Sequence, residues 1–256
     1  MIPKIIHYCW LSDNPIPDEF QYYISTWKNK LFDYEFVLWN FDRFDINSSI
    51  WVKQAFEAKK YAFAADYIRL YAVYNYGGIY LDIDVEVIKS FNSLLKNNYM
   101  LAYEDNKTKN IEGGCFGAEK GFWFIGACLD YLKGRPFFNA DETYNMIPLP
   151  TIMRKIYNES SIGNEIIFLT EDFFTSKSWV TGVISVTENT YCIHNFSGSW
   201  LSEKEKYYTK IKVKLCRFLG RKIGTFLYFP FFIIMNFQNY GIKIGLKKIL
   251  NKVIKI

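Results

Sequence analysis

Several common signatures are missing from this 256-residue chain. It has no G-x-G-x-x-G and no Walker A loop, so a bound nucleotide would not sit in a glycine-rich phosphate cradle. Its five cysteines (Cys9, Cys115, Cys128, Cys192, Cys216) include no CxxC pair and no framework spacing. That pattern predicts reduced, mostly buried thiols of a reducing compartment rather than a disulfide scaffold. No basic segment followed by a long apolar run opens the chain, so no signal peptide is expected. No clean run of about 18 apolar residues occurs, so no bilayer-spanning segment is expected either. Histidine occurs only twice, and acidic residues stop altogether after Glu205.

Apolar residues make up 50% of the chain and aromatics 20%, a globular composition able to bury a sizeable core. The net charge of +5 conceals an asymmetry. Residues 209–256 hold eleven Lys or Arg and no Asp or Glu, which leaves −6 on residues 1–208. A mildly acidic body and a strongly basic tail do different work. The expected division is a catalytic domain over 1–208 and a membrane-association segment over 209–256.

Apolar and turn patterning predicts alternating strands and helices. Strands are expected at 3–10, 34–39, 79–82, 85–88, 100–103, 166–169 and 190–193. Helices are expected at 18–30, 50–58, 61–76, 123–132 and 141–158, the last interrupted by Pro148 and Pro150. Gly77-Gly78 would stop the central helix, because glycine takes the backbone conformation a helix stop requires. This alternation predicts an α/β sandwich in which strand 1, helix and strand 2 form a nucleotide-binding half.

The chemistry concentrates in residues 60–84. Asp82-Ile-Asp84 follows directly on an apolar strand, and two residues of spacing put both carboxylates on one face. Hard divalent cations take one or two carboxylates plus phosphate oxygens. A cation held there would stabilise a departing nucleoside diphosphate. A solvated turn is the alternative. Asp66 and Arg69 share a face of the preceding helix and suit the polar needs of a glycosyl donor; a surface ion pair is the alternative. His7 and Trp10 close the first strand, as ligand-facing or as core residues. His194-Asn195-Phe-Ser197-Gly-Ser199-Trp200 forms a second polar cluster after a late strand. It is a candidate to complete a cation's coordination and grip a diphosphate.

Four blocks in order resemble glycosyltransferase family 32, whose members include capsular and O-antigen sugar transferases and the yeast-type initiating α-mannosyltransferase. They are Ile2-Pro-Lys-Ile-Ile-His-Tyr-Cys-Trp10, Ala65-Asp-Tyr-Ile-Arg69, Tyr76-Gly-Gly-Ile-Tyr-Leu-Asp-Ile-Asp84 and the segment from His194 through Ser199-Trp200. The resemblance spans roughly residues 1–200. It implies a GT-A type, Rossmann-like α/β/α sandwich, a UDP- or GDP-linked sugar donor, Mn²⁺ or Mg²⁺, and retention of anomeric configuration. Carried over by position, Asp82, Asp84 and His194 would hold the metal. Asp66 and Arg69 would hold the donor sugar and, with the two metal-binding carboxylates, form the catalytic set. His7, Trp10, Tyr80 and Asp82 would border the donor, with Ser199 and Trp200 closing over the diphosphate. One departure is Met146-Ile-Pro-Leu-Pro150, where many members carry Gly-Pro. On that acceptor side Glu112, Asp141 and Glu142 are candidates, each also readable as structural or solvated.

In the tail, Lys and Arg flank the apolar stretch Phe226-Leu-Tyr-Phe-Pro-Phe-Phe-Ile-Ile-Met235. Too short to span and interrupted by Pro230, it reads as a helical segment lying among lipid headgroups. A helix pair capping the domain is an alternative. Nucleic acid is disfavoured, because the aromatics are continuous rather than spaced for base stacking. The expected setting is the cytoplasm, peripheral to the inner face of the cell membrane, with an acceptor such as a polyprenyl-diphosphate saccharide. Two other functions fit parts of the sequence. A haloacid-dehalogenase-type phosphatase also uses D-x-D after an apolar strand, but near the chain start and with a later acidic pair. The other is a non-catalytic glycan-binding protein.

Overall fold

The computed structural model describes residues 1–141, 143–161, 165–198 and 201–253, with the side chains at 239, 240, 243, 244, 247, 248 and 251–253 outside the description. The chain divides into two units. One comprises Met1–Ser176 with Ser185–Asn195, the other Lys177–Ile184 with Phe196–Ile256.

The first unit is built on a five-stranded sheet. Strand β1 (Ile5–Cys9) lies parallel to β2 (Glu35–Trp39), joined by helix α1 (Asp18–Lys30). The third strand, β3 (Gly78–Leu81), is parallel to β1 on its other side. Completing the sheet are β8 (Cys115–Ala118) and β5 (Tyr99–Met100), both antiparallel pairings, in the order β2-β1-β3-β8-β5. Two smaller ladders pair β4 (Val85–Val87) with β9 (Cys192–His194), and β6 (Tyr103–Asp105) with β7 (Asn110–Ile111).

Alternation along β3 makes the sandwich. Ile79 and Leu81 enter a cluster with Trp27, Leu31 and Phe91, while Tyr80 enters the opposite cluster with α2 (Ile50–Glu57), α3 (Tyr61–Tyr76), α4 (Trp123–Leu132) and α5 (Leu149–Glu159). The expected α/β sandwich is therefore present. In α3 the run Phe63–Leu70 is buried throughout, as its apolar residues on every side require. Gly77 ends α3 at φ 69°, and a Cβ there would meet Lys120 N at 2.8 Å. Gly78 follows at φ 105°, where a Cβ would meet Ile5 O at 2.7 Å, so only glycine lets β3 lie against β1 here.

Two expectations are corrected. Among the described residues of 141–148 no helix forms; α5 starts at Leu149, with Pro148 before it and Pro150 in its first turn. Proline lacks the N–H that a first helical turn leaves unpaired, so these prolines start the helix rather than break it. Residues 166–169 form no strand; Leu169 makes a single bridge to Ala102. All five cysteines are free and buried, as expected.

The second unit is dominated by α6 (Glu203–Val253), in which Gly220 (φ 78°, ψ 160°) and Gly241 (φ 71°, ψ 177°) are not helical. In a straight helix, residues thirty apart are separated by about 45 Å. Here the Tyr208 hydroxyl donates to Gln238 Oε1 at 3.2 Å. The chain therefore folds back on itself at Gly220. A Cβ on Gly224 would sit 2.5 Å from Cys216 Cα, so glycine permits the arms to touch. By length and composition Glu203–Gln238 is also long and apolar enough to cross a membrane, at mean hydropathy 1.3 over 18 residues. The expectation that no segment meets that test is corrected. The window passes because apolar residues on both sides of the Gly220 break are counted together.

Candidate functional site

The site lies where the parallel strands end, the edge at which open α/β sheets bind ligands. Asp82 follows β3, and its N–H donates to Gly114 O (2.7 Å) while its carbonyl accepts from Val85 N (3.0 Å). That turn places Ile83 and Asp84 at its centre and starts β4. Antiparallel register then sets His194 opposite Val85, and Asn195 N donates to Asp84 O (3.0 Å). Two residues 110 apart in sequence thus share one edge.

Asp82, Asp84 and His194 each offer a ligand atom, all within 4.8 Å of one another. His194 Nε2 is 3.5 Å from Asp84 Oδ1 and 4.0 Å from Asp82 Oδ2. Two carboxylates and an imidazole fit a divalent cation. The cavity wall fits as well: a Cβ on Gly114 would come within 2.5 Å of His194 Cε1 and 2.8 Å of Asp82 Oδ2.

Arg69 organises the other side. Its Nη1 donates to Asp82 Oδ2 (3.2 Å) and Gly113 O (2.7 Å), and its Nη2 pairs with Asp82 Oδ1 (3.1 Å) and Asp66 Oδ1 (3.3 Å). The guanidinium also lies over the Tyr80 ring at 4.6 Å, and the Tyr80 hydroxyl donates to Asp82 Oδ1 at 2.8 Å. Asp82 is thus oriented by a bidentate clamp and a phenol. Arg69 is 6% exposed and Tyr80 1%. The structure spends the guanidinium on the two carboxylates and a carbonyl.

Burial pushes the Asp66 carboxyl up to about 7, against the opposing pull of Arg69 and with Asp82 adding to the rise. Burial likewise raises Asp82, although Arg69 holds it down. For His194, burial would lower the imidazole. The Glu112, Asp84 and Asp82 carboxylates outweigh it and carry it to about 10.

The expected residues do not all meet. His7 is 1% exposed; its Nδ1 accepts from Trp39 Nε1 (3.1 Å), which leaves Nε2–H to donate to Gly77 O (2.8 Å). Both ring nitrogens are committed inside the core, and burial lowers the imidazole pKa. The donor-bordering expectation for His7 thus meets a core histidine. Trp10 is half-buried and donates from Nε1 to Asn14 O at 2.6 Å. Ser199, Trp200 and Glu142 lie outside the described residues. Asp141 is exposed and receives Thr143.

Glu112 carries more than the sequence shows. At 1% exposure, its Oε1 takes hydrogen bonds from Gly114 N (2.5 Å) and His194 Nδ1 (2.9 Å), and its Oε2 from Thr175 Oγ1 (2.6 Å). Burial alone would raise this carboxyl; His194, Thr175 and Gly114 together hold it below its usual range. A Glu directly before Gly-Gly and a strand was the available signal.

Residues 17–101 match the family model described as a glycosyltransferase sugar-binding region containing the DXD motif. The chain is 31% identical over 144 residues to inositol phosphoceramide mannosyltransferase 3 of Schizosaccharomyces pombe, covering 54% of this chain and 38% of that protein. It is 28% identical over 101 residues to inositol phosphoceramide mannosyltransferase 1 of the same yeast, covering 37% and 31%. The chain therefore spans less than two fifths of the length of these relatives. Among solved structures, the PaToxG glycosyltransferase aligns at 20% identity and a TM-score of 0.41, covering 50% of this chain and 59% of that one. Asp82 and Asp84 fall inside the matched region, so the strand-end carboxylates lie within the part of the chain that is similar to a DXD-containing sugar-binding region.

Proposed function

We propose that the chain is a metal-dependent, retaining glycosyltransferase that moves a hexose from a nucleoside diphosphate to a glycan acceptor at a lipid surface. The observation that carries the reading is the convergence of Asp82, Asp84 and His194 at the strand edge. Asp84 and His194 would be the principal ligands of a divalent cation, with Asp82 presented by Arg69 and Tyr80. The imidazole favours Mn²⁺ over Mg²⁺, which prefers oxygen alone. When bound, such an ion supplies positive charge to a departing diphosphate.

The chain's own residues do the positioning. Arg69 keeps Asp82 and Asp66 fixed on one wall, pairing one buried and one partly buried carboxylate with one rigid cation. Asp66, with its pKa near neutrality, is suited to exchange hydrogen bonds with a sugar hydroxyl. Trp10, at the end of β1, offers a ring face to a base. The names of the yeast relatives make mannose the first sugar to try. Purified protein with Mn²⁺ should hydrolyse or transfer from GDP-mannose or a UDP-hexose, read as released nucleotide. Absence of donor turnover across both series, with and without acceptor, would overturn the reading.

For the second unit, we propose attachment to an anionic lipid surface from one side. Ile223, Phe226, Leu227, Phe231 and Ile234 are exposed on one helical face, beyond the fold-back at Gly220. Residues 209–256 bring eleven cations and no acid to it. Apolar side chains with flanking Lys and Arg suit headgroup-depth insertion, and the reversal keeps both arms on one leaflet. A lipid-linked saccharide acceptor would make that attachment useful. Cysteine scanning of 203–238 in vesicles tests it, since labelling from the far side of the bilayer would show a span instead.

A further inference from the structure

The metal reading names Asp82, Asp84 and His194, yet the group holding His194 in place is Glu112. We propose that Glu112 is a positioning residue that sets the His194 ring for cation binding and shapes the wall behind it; the inference rests on the metal reading above. Three observations carry it. Glu112 is among the most buried carboxylates described, and its three hydrogen-bond donors are the His194 Nδ1, the Thr175 hydroxyl and the Gly114 N–H. The carboxylate can only accept, so it holds a proton on His194 Nδ1 and leaves Nε2 facing Asp84 at 3.5 Å. The same carboxylate fixes Gly114, whose missing side chain is the space that His194 Cε1 and Asp82 Oδ2 occupy.

This is the carboxylate–histidine–metal arrangement, in which the outer group orients the ring and selects its tautomer. A buried carboxylate that merely linked β9 to the loop before β8 could have bonded any donor there. Here it takes the imidazole nitrogen that points away from the cluster. The neighbouring backbone continues the wall: Gly113 O accepts from Arg69 and Gly114 O from Asp82 N. Glu112, Gly113 and Gly114 together brace His194, Arg69 and Asp82 from behind.

The test uses the full chain and Mn²⁺ as the probe. Glu112→Gln keeps the shape but replaces the charged acceptor of the His194 Nδ1 proton with a neutral amide, which no longer fixes the ring. Mn²⁺ binding, followed by electron paramagnetic resonance, should weaken about 10- to 100-fold. The chain has only two histidines, so ¹⁵N-histidine NMR reads the ring directly. The His194 Nδ1–H signal should shift in the variant, because it loses its carboxylate acceptor, while the signals of His7, held by Trp39 and Gly77, stay as they are. A folded Glu112→Gln protein with wild-type Mn²⁺ affinity and unchanged His194 signals would overturn the inference. Asp84→Asn separates the two readings. If it loses Mn²⁺ and Glu112→Gln does not, only the role of Glu112 falls. If neither loses it, the metal reading falls as well. Should Glu112→Gln fail to fold, Thr175→Val removes one donor to the same carboxylate, and unaltered Mn²⁺ affinity there counts against the proposal.

Discussion

The two units of this chain handle polarity in opposite ways. In the first, titratable groups are drawn inside and matched: Arg69 against Asp66 and Asp82, His194 against Glu112, and the neutral His7 against Trp39 and Gly77. In the second, apolar groups face outward and beyond Glu205 the charge is of one sign. Phe218 is 81% exposed and Phe226 77%, within a stretch that has no acid. Buried charge costs free energy unless paired and hydrogen-bonded, so the first unit shows that its network is kept for a purpose. Exposed aromatic faces cost little alone, but a contiguous set marks a surface awaiting a partner.

The comparison breaks most sharply at the site. Asp84→Asn should lower donor turnover by about 100-fold or more with little change in melting temperature, because it removes a ligand while keeping the volume. Normal turnover in that variant would remove the cluster from the reaction. Arg69→Ala should be the most damaging change to folding. It strands the buried Asp66 carboxylate and the partly buried Asp82 carboxylate, and chemical denaturation should show a loss of about 3 kcal/mol. A loss below about 1 kcal/mol would mean the clamp is solvated after all.

Gly114→Ala sharpens the same contrast at smaller cost. Its methyl group must displace His194 or Asp82, so Mn²⁺ affinity should fall about 10-fold while circular dichroism is retained. On the second unit, Phe226→Glu with Phe231→Glu should weaken partition onto anionic vesicles about 10-fold or more. Hydrolysis of a soluble donor should be untouched. Equal binding by the double variant would leave the aromatic face without a role.

The smallest expected effect is one of pH. His7 is neutral in the folded protein and its pKa lies below the ordinary 6.5 because burial disfavours the cation. The unfolded chain therefore binds a proton more readily as pH falls. Stability from this group is complete above pH 6.5 and is lost as pH drops toward the lowered folded value. Between pH 7 and 5, His7→Gln should show a shallower loss of stability than wild type. Parallel slopes would show that the ring nitrogens are free to take a proton in the fold.

Much of the first unit was legible locally. The limits of α3 and α4 follow from apolar spacing and a glycine stop, and Asp82-Ile-Asp84 is recognisable because strand, break and carboxylates are adjacent in the chain. The helix misplaced at 141–148 shows the limit of such reading. Tyr144 and Met146 stay exposed there, and prolines at 148 and 150 set where the helix begins. Glu112 was visible as a residue yet not as a partner, since its hydrogen bond to His194 closes a separation of 82 residues. The same holds for Arg69, whose helix spacing pointed to Asp66 and whose stronger clamp reaches Asp82.

By itself, then, the sequence determined the order of the elements, the D-x-D turn at the end of a strand and the separation of an acidic body from a basic tail. These depend on side-chain period, glycine conformation and charge, all set by neighbours along the chain. Only the tertiary structure decided that both nitrogens of His7 are held inside the core, which group stands behind His194, and that the tail doubles back at Gly220. Such pairings arise between segments far apart in sequence, where register and close packing select the partners and no local pattern records the choice.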